Sequence, residues 1–183
     1  VAAKQDGIIG AMILGYHVII GAYGFWLPND PRGSWSSFVG SWELLRFGKA
    51  TTVKVRQSVA RNEHDRFDRM RAKQLLKYPP VIFNGYQARA VALAFGEYAA
   101  SVQLPIWSFA VMPEHLHMVV GRVSGKDIET VVNQMKGTAT RKLDAADIHP
   151  HQTHRTTSGR LPKMFARSSW NVFLDHAADI ERA

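Results

Sequence analysis

Two apolar stretches, residues 102–112 and 115–121, are separated by Pro113 and Glu114, and this break constrains the fold more than any other feature of the chain. Proline fixes its own φ and has no N–H to donate, so neither a helix nor an unbroken strand runs through it, whereas a turn does. The flanking stretches carry Val, Ile, Phe and Trp, which suit a pleated surface, and together they predict an antiparallel β-hairpin. In its second strand successive side chains take opposite faces. Leu116, Met118 and Val120 fall on one, His115 and His117 on the other.

Helical segments flank this hairpin. The alanine-rich stretch 84–100, with Val91, Leu93, Phe95 and Tyr98, predicts a helix packed on the sheet. Residues 126–146 repeat the pattern through Ile128, Val131, Val132, Met135, Ala139 and Leu143, with Ser124 or Asp127 placed to cap the start. Residues 11–22 are near-continuously apolar and predict a central strand covered on both faces, ended by the Pro28-Asn29-Asp30-Pro31 turn chemistry that follows. Residues 35–80 are the least regular; they carry many Lys and Arg residues, among them Lys54 and Arg56, and a polar helix is expected over 63–77, stopped by Pro79. Residues 147–160, with His149, His151 and His154, are expected to be a flexible basic loop rather than a metal-binding cluster, and 161–174 a last strand or extended segment anchored by Trp170 and Phe173. No repeat or linker divides the chain. The order of elements predicts one α+β domain, an antiparallel sheet with helices packed on one face.

Twenty-three Lys and Arg against fifteen Asp and Glu leave a formal charge of +8, which favours a polyanionic partner. The absence of cysteine excludes disulfide scaffolds, thiolate metal sites and cysteine nucleophiles. The apolar run 8–26 is interrupted by Tyr16, His17 and several glycines, which argues for a buried strand rather than a membrane span or a signal peptide.

Two imidazoles on one strand face can take two coordination positions of a divalent metal and leave the others for a polar side chain, water and a substrate oxygen. Two histidines that merely fall on a half-exposed strand would show the same spacing. Glu114 is an available further ligand, although it points to the face opposite His115; His17, on a first strand that could neighbour the His strand, reads as a packed or hydrogen-bonded core histidine.

The surroundings decide between these readings. Met112-Pro113-Glu114-His115-Leu116-His117 resembles the HUH signature (His, bulky apolar, His) of single-tyrosine transposases, and the likeness extends along the chain. Tyr16-His17-Val18-Ile19-Ile20, Leu27-Pro28-Asn29-Asp30-Pro31-Arg32-Gly33, Pro79-Pro80-Val81-Ile82-Phe83, Lys136-Gly137-Thr138-Ala139-Thr140 and Trp170-Asn171-Val172-Phe173-Leu174 resemble, in order, segments of the branch associated with repeated extragenic palindromes. The resemblance implies a ferredoxin-like (RRM-like) sheet, His115 and His117 as metal ligands, Mg²⁺ or Mn²⁺ as cofactor, and single-stranded DNA hairpins as partner. It further implies cleavage by a tyrosine that attacks a backbone phosphate, leaving a 5′ phosphotyrosine and a free 3′ hydroxyl. In the family that tyrosine and the third ligand lie on a helix downstream of the His strand. All five tyrosines here, Tyr16, Tyr23, Tyr78, Tyr86 and Tyr98, precede His115, so the nucleophile is expected beyond Ala183 and the domain is expected to be truncated at both ends. Arg32, between Trp26 and Trp35, and Lys136 and Arg141, on the helix after the His strand, are the expected DNA contacts. A homodimer and a monomer both fit the resemblance, as does a cytoplasmic, nucleoid-associated location. The alternatives are an inactive hairpin-binding protein or decayed transposase fragment, and a metal hydrolase using water.

Overall fold

A computed structural model describes residues 13–53 and 59–183. Its element order is β1 (Gly15–Gly21), α1 (Trp42–Leu45), α2 (Arg66–Gln74), α3 (Gly85–Ser101), β2 (Ile106–Val111), β3 (His115–Gly121), α4 (Ile128–Ala145), β4 (Trp170–Leu174) and α5 (Ala177–Arg182). Among the described residues the strands form one sheet in the order β2-β3-β1-β4, with every neighbouring pair antiparallel. α3 connects β1 to β2 and α4 connects β3 to β4, which is the ferredoxin-like arrangement.

Each long helix has its own start signal. The Asn84 side chain accepts from the Gln87 amide while the Gln87 side chain accepts from the Asn84 amide, a reciprocal cap on α3. Asp127, rather than Ser124, caps α4 by accepting from the Thr130 amide at 2.7 Å. In the polar segment Asp65 accepts from the Phe67 and Asp68 amides, which starts α2 at Arg66, later than the expected residue 63.

α3 and α4 lie on the same side of the sheet. Val91, Ala94, Phe95, Val131, Val132, Met135 and Leu143 meet Val18, Ile20, Leu116, Met118 and Val120 in one buried cluster. Full burial of a side chain such as Leu116 stabilises the fold by about 1.5–3 kcal/mol, and truncating it to Ala costs about 2–5 kcal/mol. A smaller cluster, Leu27, Leu44 and Ala72, holds α1 and α2 to the loop after β1.

Three sequence expectations are corrected. β1 is covered on one face only: Tyr16, Val18 and Ile20 are buried, while His17 and Ile19 are half-exposed. Residues 11 and 12 of the expected strand, and Lys54 and Arg56, lie outside the described residues. β2 begins at Ile106 rather than 102, because Gln103 has φ 54° and turns the chain between α3 and the strand. The 147–160 segment is not a free loop. His149 and His151 are each 2% exposed, Gln87 donates to the Ile148 carbonyl at 2.9 Å, and Arg155 pairs with Asp144 of α4.

Candidate metal centre

The register of the two central strands assembles the site. β1 and β3 pair Ile19 with His117 and Gly21 with His115, so the odd-numbered residues of both strands face away from the helices. The turn before β3 is fixed at several points: Met112 donates to the His115 carbonyl, Ala22 to the Glu114 carbonyl and Phe83 to the Pro113 carbonyl, all within 2.8 Å. His115 and His117 thus emerge from a doubly paired strand with their ring centroids 5.0 Å apart. At Gly15, on the same face, a side chain would meet both the Trp107 indole and the Val120 carbonyl at 2.5 Å, so only glycine fits.

Each ring of the pair is held differently. Phe25 stacks flat on His115, 4.6 Å between centroids and 14° between planes, and the His115 Nδ1 is buried without a hydrogen-bond partner. His117 is met by His17, whose Nε2 lies 3.1 Å from His117 Nδ1. Partial burial lowers the pKa of all three imidazoles; the neighbouring His117 lowers His17 and His115 further, and Glu114 partly offsets this at His115. Neutral rings offer lone pairs, which is the state a metal requires.

The donor set therefore fits a metal held by two imidazoles with positions left open. Among the described residues no group of three His, Cys, Asp or Glu side chains is arranged to hold an ion. Glu114 faces elsewhere and pairs with Lys73 at 3.6 Å.

Two of the three basic residues expected on DNA are engaged within the fold. Asp30 is fully buried and holds the Arg32 guanidinium through two bonds of 2.8 Å, while Trp26 lies under the same group at 3.8 Å. This makes Arg32 a clasp of the β1 loop rather than an exposed cation. Trp35 packs instead on Trp170 of β4, centroids 4.1 Å apart. Lys136 is 8% exposed and donates to the Ala166 and Arg167 carbonyls at 3.1 and 3.2 Å. Burial, with a contribution from Lys163, lowers its pKa to about 8, so it remains an ammonium at neutral pH and ties the segment before β4 to α4. Arg141 is exposed, donates to Thr138, and sits on the helical side of the sheet.

Phe25 is not among the site residues expected from the sequence, and His17, expected to be a packed or hydrogen-bonded core histidine, is hydrogen-bonded but half-exposed on the open face. Alternation along β1 puts His17 opposite Val18, but only the strand register shows that its face is the one His117 occupies.

Over residues 74–168 the chain matches the family described as Transposase IS200 like, and it belongs to that family. Among solved structures it is similar to a transposase of Deinococcus radiodurans R1, at 13% identity and a TM-score of 0.50 over 98% of this chain and 92% of that one, which shows a shared fold. It also aligns with a REP-associated tyrosine transposase bound to a REP hairpin, at 10% identity and a TM-score of 0.45 over 100% of this chain and 67% of that one. No curated protein matches the chain. No helix among the described residues is long and apolar enough to cross a membrane.

Proposed function

We propose that this chain is a single domain that binds single-stranded DNA hairpins and positions a backbone phosphate at His115 and His117, as part of a single-strand cleavage and transfer reaction that proceeds through a phosphotyrosine. The observation that carries this reading is the convergence of two neutral imidazoles on the open face of the sheet, in a chain of the IS200-like transposase family.

The two rings would hold Mg²⁺ or Mn²⁺, which when bound neutralises charge growing on the phosphate oxygens. Phe25 and His17 contact these two rings and would keep them in place for such an ion. The net charge of +8 attracts the strand, and Arg141, exposed on α4, is a candidate for phosphate contact outside the site.

The nucleophile is not expected among the five tyrosines present. Tyr16 and Tyr98 are core residues, Tyr23 and Tyr78 pack around His151, and Tyr86 is exposed near the start of α3. The test is cleavage of a labelled single-stranded palindromic hairpin with Mn²⁺ or Mg²⁺, by this chain and by one extended with any residues its reading frame encodes after Ala183. Covalent attachment at the 5′ side by the longer chain alone supports the assignment. Cutting by residues 1–183 would make one of their tyrosines, or water, the nucleophile. Hairpin binding without cleavage by either chain would favour an inactive hairpin-binding protein.

A further inference from the structure

The 3.1 Å contact between His17 Nε2 and His117 Nδ1 fixes more than a ring position. Two neutral imidazoles that meet nitrogen to nitrogen share one proton, so one must donate and the other accept. If His117 donates through Nδ1–H, its Nε2 keeps a lone pair for a metal. The reverse arrangement moves the His117 proton to Nε2 and closes that nitrogen. We propose that His17 is a positioning residue that accepts a hydrogen bond from His117 Nδ1–H and so holds His117 in the tautomer that ligates through Nε2.

This inference rests on the metal-pair reading above. Its geometric support is that His17 has little freedom to be elsewhere. β1 is paired on both sides, with His17 opposite Val119 of β3 and Val172 of β4, so the ring reaches His117 across a diagonal set by two backbone ladders. The two rings of the pair also differ in how they are held. His115 has Phe25 flat against its ring and a buried Nδ1 with no partner, whereas His117 has a hydrogen bond. Loss of His17 therefore acts on one ligand of the pair and spares the other.

The experiment uses the full chain, the His17→Phe and His17→Gln variants, and His117→Ala as a reference. In the metal-free parent, long-range ¹H–¹⁵N correlation of the histidine rings is expected to show His117 protonated at Nδ1. In Mn²⁺ titrations followed by water-proton relaxation, His17→Phe is expected to weaken binding about 10–100-fold. His17→Gln, whose carbonyl can accept the same bond, should stay within a few-fold of the parent. An Nε2–H tautomer at His117, parent-like binding by His17→Phe, or a His17→Gln loss as deep as that of His117→Ala would each overturn the proposal, the last by making His17 a ligand. If His117→Ala binds Mn²⁺ as the parent does, the metal pair itself is wrong; if only His17→Phe does, the pair stands and His17 has no part in it. The tautomer measurement needs no variant and holds even if His17→Phe fails to fold.

Discussion

The chain contains two His-x-His sequences, His115-Leu116-His117 and His149-Pro150-His151, and the fold puts them to opposite uses. The first lies on β3, where a strand's period of two sends both rings to the open face with nitrogens left for a ligand. The second follows the C-terminus of α4 in a segment with no strand partner, and both rings turn inward. There His149 Nδ1 accepts from the His151 amide at 3.1 Å, and His151 Nε2 donates to the Pro79 carbonyl at 3.0 Å with Tyr23 and Tyr78 packed against the ring. Equal spacing thus has no chemical meaning until the backbone decides which way the rings point.

The largest test of this contrast exchanges function for stability. Replacing His115 and His117 together by Ala should lower Mn²⁺ affinity by about 100-fold or more, since even outer partners of a ligand are worth about 10–100-fold. Thermal denaturation of that variant should stay close to the parent, because both side chains are half-exposed on the face away from the core. A collapse in melting temperature would show that the pair is structural and erase the distinction.

His151→Ala should do the reverse. It removes a fully buried ring and strands the Pro79 carbonyl, at a cost of about 3–4 kcal/mol in denaturant unfolding with Mn²⁺ binding preserved in the folded fraction. Lost metal affinity at full stability would assign the metal to the wrong pair.

A pH titration sharpens the comparison. Burial, with His151 and Arg155 nearby and Asp144 opposing, lowers His149 from 6.5 to about 4, and its Nε2 is buried without a partner. Between those pH values the unfolded chain binds a proton that the folded chain refuses, so stability is lost as pH falls from 6.5 toward 4, by at most about 3 kcal/mol. His149→Asn keeps an acceptor for the His151 amide and removes the titration, and its unfolding free energy should lose that part of the acid dependence. A parent and a variant with parallel pH profiles would mean that His149 does not titrate as a buried group.

The smallest effect is expected at His154, exposed in the same segment, whose ring lies edge-on to those of Tyr78 and His151. His154→Ala should change stability by less than about 0.5 kcal/mol. A larger loss would mean that the rings around Tyr78 act as one packed unit.

Much of this was legible in the sequence because it depends on local rules. The break at Pro113, the alternation through Leu116, Met118 and Val120, and the helical spacing from Ile128 to Leu143 define the hairpin, the buried face and α4 without reference to distant residues. The His115 and His117 face follows from the same alternation. The two-face covering expected for β1 failed because its apolar run includes Ile19, which stands on the open face beside His117. Arg32 and Lys136 read as available cations from the sequence because it carries charge but not partners; Asp30 and the carbonyls of Ala166 and Arg167 supply those partners only in the folded chain.

What the sequence by itself determined is the set of things a single segment can express: which residues form strands and helices, which face of each is apolar, and that two imidazoles share a side. The tertiary structure decided which histidines meet. His17 and His117 are one hundred positions apart, and their contact exists because the β1–β3 register, set by burial of the opposite face, slides one strand into place against the other. A one-residue slip would turn His17 into the core and leave His117 without its neighbour, a distinction that no local pattern in either segment records.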